Sequence, residues 1–188
     1  MKRIITIISL FLVFALSVNL TGCKETTVTE ATREGHARTE PNALGSLESF
    51  SFSLTWDVYG ISSYDSVTGR LVKTTDATNP DDYITTCYLS EFQTREIYNL
   101  IAGLDILSYP DSYDPHDDGL TSQPSMTLIL SVKTDTLEKT ITAANIAYGY
   151  EANNSKGQTF LSVFKKIRDI LIQTEEWQSL PDYEFYYD

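Results

Sequence analysis

The densest set of reactive side chains is Asp111-Ser112-Tyr113-Asp114-Pro115-His116-Asp117-Asp118-Gly119. Four carboxylates and an imidazole in so short a stretch are oxygen-rich ligands for a hard cation, and Ca²⁺ takes about six to eight such oxygens. Laid on the helix-loop-helix calcium pattern, Asp114, His116, Asp118 and Gly119 fall at positions one, three, five and six. Position twelve is Ser125 instead of the bidentate Glu, and strand-like sequence follows. The stretch therefore offers a weak Ca²⁺ site at Asp114, His116 and Asp118, or a solvated turn built from residues that turns prefer. Hydrolytic chemistry finds less support. The only histidines are His36 and His116, and no serine sits in a Gly-x-Ser-x-Gly elbow. There is no phosphate-cradling glycine loop and no zinc-ligand spacing. We assign no catalytic residue, expect no enzyme, and name no cofactor other than the weak Ca²⁺ site.

Two cysteines remain, Cys23 and Cys87. Cys87 lies in a β-branched and aromatic run, Tyr83-Ile84-Thr85-Thr86-Cys87-Tyr88, and reads as a small buried apolar residue rather than a nucleophile. Cys23 stands elsewhere in character. Lys2-Arg3 precede an apolar run from Ile4 to Val18, too short for a spanning helix of about 20 residues but suited to a signal segment of roughly 7–15. The run ends in Leu20-Thr21-Gly22-Cys23. Residues 1–23 resemble a bacterial lipobox signal, with Leu20, Gly22 and Cys23 matching the pattern and Thr21 an accepted variant. The resemblance implies a signal peptide over 1–22, a diacylated Cys23 at the head of the processed chain, and a protein held on the extracytoplasmic face of the cell membrane by its lipid. Beyond Cys23 it carries over no site, since the folded part resembles only uncharacterised envelope lipoproteins.

Charge narrows the partners. The 188 residues carry a formal charge of −12, and removing Lys2 and Arg3 leaves 12 basic residues against 26 acidic ones, a balance of −14. That sign disfavours nucleic acid. It is compatible with a cationic protein partner, although solubility alone accounts for it.

The elements that must position these residues begin after a tether. Residues 23–45 are rich in Thr, Glu, Arg and Ala without apolar periodicity, so they read as disordered. A single globular domain is expected over 46–188. Phe50, Phe52, Leu54 and Trp56 alternate with polar residues, which predicts a half-buried antiparallel strand. Arg70–Thr75 returns as its hairpin partner after a long tip bearing Tyr59 and Tyr64, and Tyr83–Leu89 gives a third strand. Ser90 with Gln93 is a capping-box signal for a helix whose apolar stripe holds Phe92, Ile97, Leu100, Ile101 and Leu104. Asp105–Pro124 reads as a long loop. Met126–Lys133 and Leu137–Ala143 are further strands, and residues 156–172 form a second helix with Phe160, Val163, Phe164, Ile167, Ile170 and Leu171 inward. The order β-β-β-α-β-β-α predicts an α+β fold: one antiparallel sheet of about five strands with two helices on one face.

Tyrosines supply what chemistry does not. Tyr59, Tyr64, Tyr109 and Tyr113 fall in predicted loops, where such rings make a recognition surface for protein, peptide or glycan, or cap the sheet ends. The expectation is a membrane-anchored lipoprotein that binds or scaffolds without catalysis. The alternatives are an acidic inhibitor or immunity-type protein for a cationic envelope hydrolase, and a calcium-dependent module.

Overall fold

A computed structural model describes residues 44–57, 61–74, 82–115, 125–146 and 152–182. All of them belong to one compact unit, Thr39–Asp188. The signal segment, Cys23 and the tether as far as residue 43 lie outside the described residues, as do His36, Tyr59, His116, Asp118, Tyr148, Tyr150 and the aromatic stretch after Asp182. No described helix is long and apolar enough to cross a membrane.

The fold is α+β, built on one mixed sheet of seven strands. These are β1 (Ser51–Trp56), β2 (Ser62–Asp65), β3 (Arg70–Thr74), β4 (Asp82–Thr86), β5 (Ser112–Tyr113), β6 (Met126–Lys133) and β7 (Glu138–Ile146). Their spatial order is β4-β3-β2-β1-β6-β7-β5. Helices α1 (Glu91–Ala102), α2 (Ser155–Ile172) and the single turn α3 (Glu175–Gln178) complete it. The expected five-strand antiparallel sheet is corrected in two places. Ser62–Asp65, expected at a hairpin tip, is a strand paired on both sides. Ser112–Tyr113, expected in a long loop, joins β7 in parallel at the sheet edge. Neither piece is long enough to show a hydrophobic period, so only pairing reveals them.

Alternation decides which face is buried. Phe52, Leu54 and Trp56 of β1 point inward, as do Met126, Leu128, Leu130 and Val132 of β6. They share one core with Ile97 and Ile101 of α1 and Phe160, Phe164, Ile167 and Leu171 of α2. The opposite face mixes Ser and Thr with β-branched Ile and Val. Across it, strand register aligns a row from Ile84 through Val72, Ser63, Thr55 and Ile129 to Thr142. In β7, Asn145 takes a φ of 62° beside a register shift against β6, the local bend of a bulge. The core also takes in Leu44, and the Gly45 carbonyl accepts from the Tyr98 hydroxyl at 2.7 Å. Leu44 and Gly45, read from the sequence as tether, thus pack with the folded unit.

The helices start where local chemistry tells them to. Gln93 N–H of α1 donates to Ser90 Oγ at 3.3 Å, and Ser90 N–H donates to Gln93 Oε1 at 2.9 Å. Asn154 caps α2 by accepting from Gly157 N–H at 2.7 Å. A Cβ at Gly157 would lie 2.8 Å from Ala152 Cβ and 3.1 Å from Pro115 Cβ, so this helix start closes against the segment after β5 only without a side chain.

Candidate interaction face around helix α1

The tyrosines singled out from sequence are largely part of the core. Tyr64 is 2% exposed and Tyr109 4%, which corrects their expected place on a binding surface. Tyr64 lies on the inward face of β2, and its hydroxyl donates to the Cys87 carbonyl at 3.3 Å. Tyr109 donates to the Lys156 carbonyl at 3.0 Å while the Lys156 ammonium sits 4.7 Å from its ring centre. Tyr113 is half-buried, donates to Asn154 Oδ1 at 3.2 Å, and meets Tyr109 edge-on at 5.7 Å. These rings clamp β5 to the start of α2. Such rings bury large apolar area and still satisfy their hydroxyls, which suits them to a core margin as well as to a surface.

The described part of the acidic loop is spent on structure. Asp111 pairs with Lys139, and its carbonyl accepts from Thr142 N–H at 2.8 Å, seating β5 on β7. Asp114 Oδ2 accepts from Asn145 Nδ2 at 3.3 Å. No group of three His, Cys, Asp or Glu side chains gathers among the described residues, and the other two residues of the weak Ca²⁺ pattern fall outside them. Cys87 is buried, and burial pushes its thiol pKa up, against a hydrogen bond with the Thr174 side chain.

One polar cluster is internal. Asp57 ends β1 at a φ of 70°, and its carboxylate accepts a short hydrogen bond from Ser62 Oγ. Burial raises its pKa, opposed by Ser62, Arg168 and Lys73. Lys73 donates to the Leu180 carbonyl at 3.3 Å and lies 5.1 Å from the centre of the Trp177 ring. Trp177 in turn packs 5.4 Å from Trp56. A hydroxyl and two cations around this carboxylate offset part of the cost of burying its charge.

What the sequence did not disclose is the surface around the start of α1. Val67, Tyr88 and Phe92 are 72%, 74% and 75% exposed. Each is held out by local structure. Asp65 Oδ1 accepts from Val67 N–H at 3.0 Å and Thr68 N–H at 2.8 Å, locking the β2–β3 turn with Val67 at its tip. Gly69, at a φ of 68°, lets the Tyr88 ring lie against this turn; a Cβ there would come within 2.8 Å of that ring. Phe92 sits in the first turn of α1, and its expected place in the buried stripe is corrected. Ile97 is five residues on, about 140° around a helix of 3.6 residues per turn, so the two occupy different faces. That offset was visible in the sequence.

Three linked depressions follow this face. A cleft of 210 Å³ lies between the β2–β3 turn and α1, lined by Phe50, Val67, Tyr88, Leu89 and Thr94 among others. Leu89 and Thr94 also line a larger one of 680 Å³, where Leu47 and Glu48 face Glu91 and Arg95. Arg95 then borders a third, 390 Å³, with Phe92, Glu96 and Leu100. Arg95 is paired with Glu91 at 2.7 Å, which leaves Glu48 and Glu96 as acidic rims to an apolar trough. This arrangement suits contact with a side chain or a peptide. No protein-family model matches the chain, and no curated protein matches it.

Proposed function

We propose that this chain is a lipid-anchored extracytoplasmic binding lipoprotein that performs no catalysis, with the α1 face as its contact surface. The observation that carries the reading is the trio Val67, Tyr88 and Phe92, large apolar side chains held in solvent around connected clefts. Isolated exposed apolar residues are ordinary; several along one trough mark an interaction site. Aromatic anchors beside acidic rims fit a protein partner with apolar and basic side chains. Lipid on Cys23 would keep that partner at the membrane, since two acyl chains anchor stably where one is marginal.

Capture from envelope extracts with the folded domain tests the contact surface. Phe92→Glu and Tyr88→Glu are expected to abolish capture at least tenfold while leaving the fold intact, because neither side chain is in the core. Undiminished capture by both variants overturns the assignment of this face. Metabolic labelling with palmitate tests the anchor: label lost in Cys23→Ala supports it, and an unlabelled wild type ends it.

A second reading draws on the acidic rims and the net charge: inhibition of a cationic envelope hydrolase. Its signature is affinity that falls steeply as salt rises. Salt-insensitive capture leaves only the first reading.

A further inference from the structure

The two edges of the sheet are protected very differently. At one edge β5 pairs with only Thr142 and Ala143 of β7, and the rest of the β7 edge carries Lys139 and the bulge at Asn145, features that discourage a foreign strand. At the other, β4 runs five residues, Asp82-Tyr83-Ile84-Thr85-Thr86, with no Lys, Pro or bulge in it. Among the described residues, only β3 pairs with it. Ile84 is 58% exposed at its centre.

The hydrogen-bond alternation of antiparallel strands shows which backbone groups this edge presents. Cys87 N–H donates to the Gly69 carbonyl at 2.8 Å, so the bonded pairs with β3 continue at Thr85 with Leu71 and Tyr83 with Lys73. Asp82, Ile84 and Thr86 therefore turn their N–H and C=O groups away from β3, toward the open edge. We propose that this edge pairs with β4 of a second copy of the chain, antiparallel about a two-fold axis at Ile84, to make one continuous sheet across a homodimer.

The register is self-complementary, as a two-fold interface requires. Ile84 faces Ile84 of the second copy, and Asp82 faces Thr86, so every outward-turned residue meets another and each pair exchanges both bonds. No like charges meet within the seam. On the face away from the core the two Ile84 side chains meet, each beside its own buried Val72, which turns an exposed isoleucine into part of a shared apolar row. On the helix-bearing face Tyr83 meets Thr85, an aromatic with β-branched pair of the kind that stabilises strand pairing. Register shifted by one residue opposes outward-turned groups to inward-turned ones and loses these bonds. Charge sets the salt response: each copy carries a formal −12, so screening favours association, the reverse of a contact with a cationic partner.

The test uses the full chain in a Cys23→Ser background, with Ile84→Cys as the reporter. Facing residues of a bonded antiparallel pair have Cα atoms about 5.5 Å apart, within the disulfide range of about 4.4–6.8 Å. Mild oxidation is expected to give a covalent dimer of twice the 21.2 kDa chain mass with Ile84→Cys and none with Val67→Cys, which is more exposed but away from the edge. Sedimentation equilibrium of the Cys23→Ser protein is expected to show a dimer that tightens with salt and becomes monomer in Ile84→Lys with unchanged circular dichroism. A monomer at every concentration up to 100 μM, equal cross-linking at both positions, or a dimer indifferent to Ile84→Lys overturns the proposal. So does strand capture of a different protein in place of a second copy.

Discussion

Asp57 closes β1 with its carboxyl against Ser62, in a setting where burial outweighs the Ser62 hydrogen bond and the charges of Arg168 and Lys73 and raises its pKa. A carboxyl whose pKa is higher folded than unfolded costs stability once ionised. That cost is absent below the unfolded value of 3.8 and grows as pH rises through the raised folded value. Asp57→Asn removes the charge and keeps an amide oxygen for Ser62. Asn also accepts the left-handed backbone at this position, where φ is 70°. Thermal melts are expected to show the variant more stable than wild type at pH 7, with the gap closing toward pH 4. A gap of equal size at both pH values contradicts this account. The neighbouring lesson concerns Tyr64 and Tyr109: a tyrosine in a short turn-rich stretch looks like a surface anchor until a carbonyl such as that of Cys87 or Lys156 is found to receive its hydroxyl.

At the scale of elements, α1 matters twice: one side supplies Ile97 and Ile101 to the core, and its first turn displays Phe92. Its capping box was legible because Ser90 and Gln93 act on their own backbone, which needs no distant partner. Ser90→Ala is expected to cost about 1 kcal/mol, the usual worth of an N-cap. Urea denaturation should read this as a lower midpoint at unchanged slope, and an unshifted midpoint would show the cap to be idle. β1 and β6 were equally legible, each with an unbroken inward alternation over its length. β2 and β5 were not. Four residues of Ser-Ser-Tyr-Asp and two of Ser-Tyr have no period to read, and they are strands only because β1, β3 and β7 offer them hydrogen bonds.

For the molecule as a whole, one core carries most of the stability and the exposed Phe92 ring little of it. Phe164, fully buried, packs in a tilted contact with Phe160, ring centres 6.0 Å apart, within that core. Phe164→Ala is expected to lose about 3–5 kcal/mol, a large share of the roughly 5–15 kcal/mol that holds a typical domain. Phe92→Ala is expected to stay within about 0.5 kcal/mol. Paired denaturation curves check both, and a large loss from Phe92→Ala would place that ring in the fold instead of on the contact face. Where the partner at the α1 trough is cationic, that contact weakens with salt while pairing at the β4 edge tightens, so a single titration separates self-association from partner binding.

The sequence by itself determined the α+β class, the two long helices with their starts, the strands with sustained alternation, and the burial of Cys87. These follow from interactions local in the chain, in which the hydrophobic period and a capping side chain act within a few residues. The tertiary structure alone decided the seven-strand order, the parallel edge at β5, the burial of Tyr64 and Tyr109, and the exposure of Val67 and Tyr88. Strand order and exposure depend on which distant segments supply hydrogen bonds and apolar contacts, and a ring's neighbours across the fold are written nowhere in its own neighbourhood.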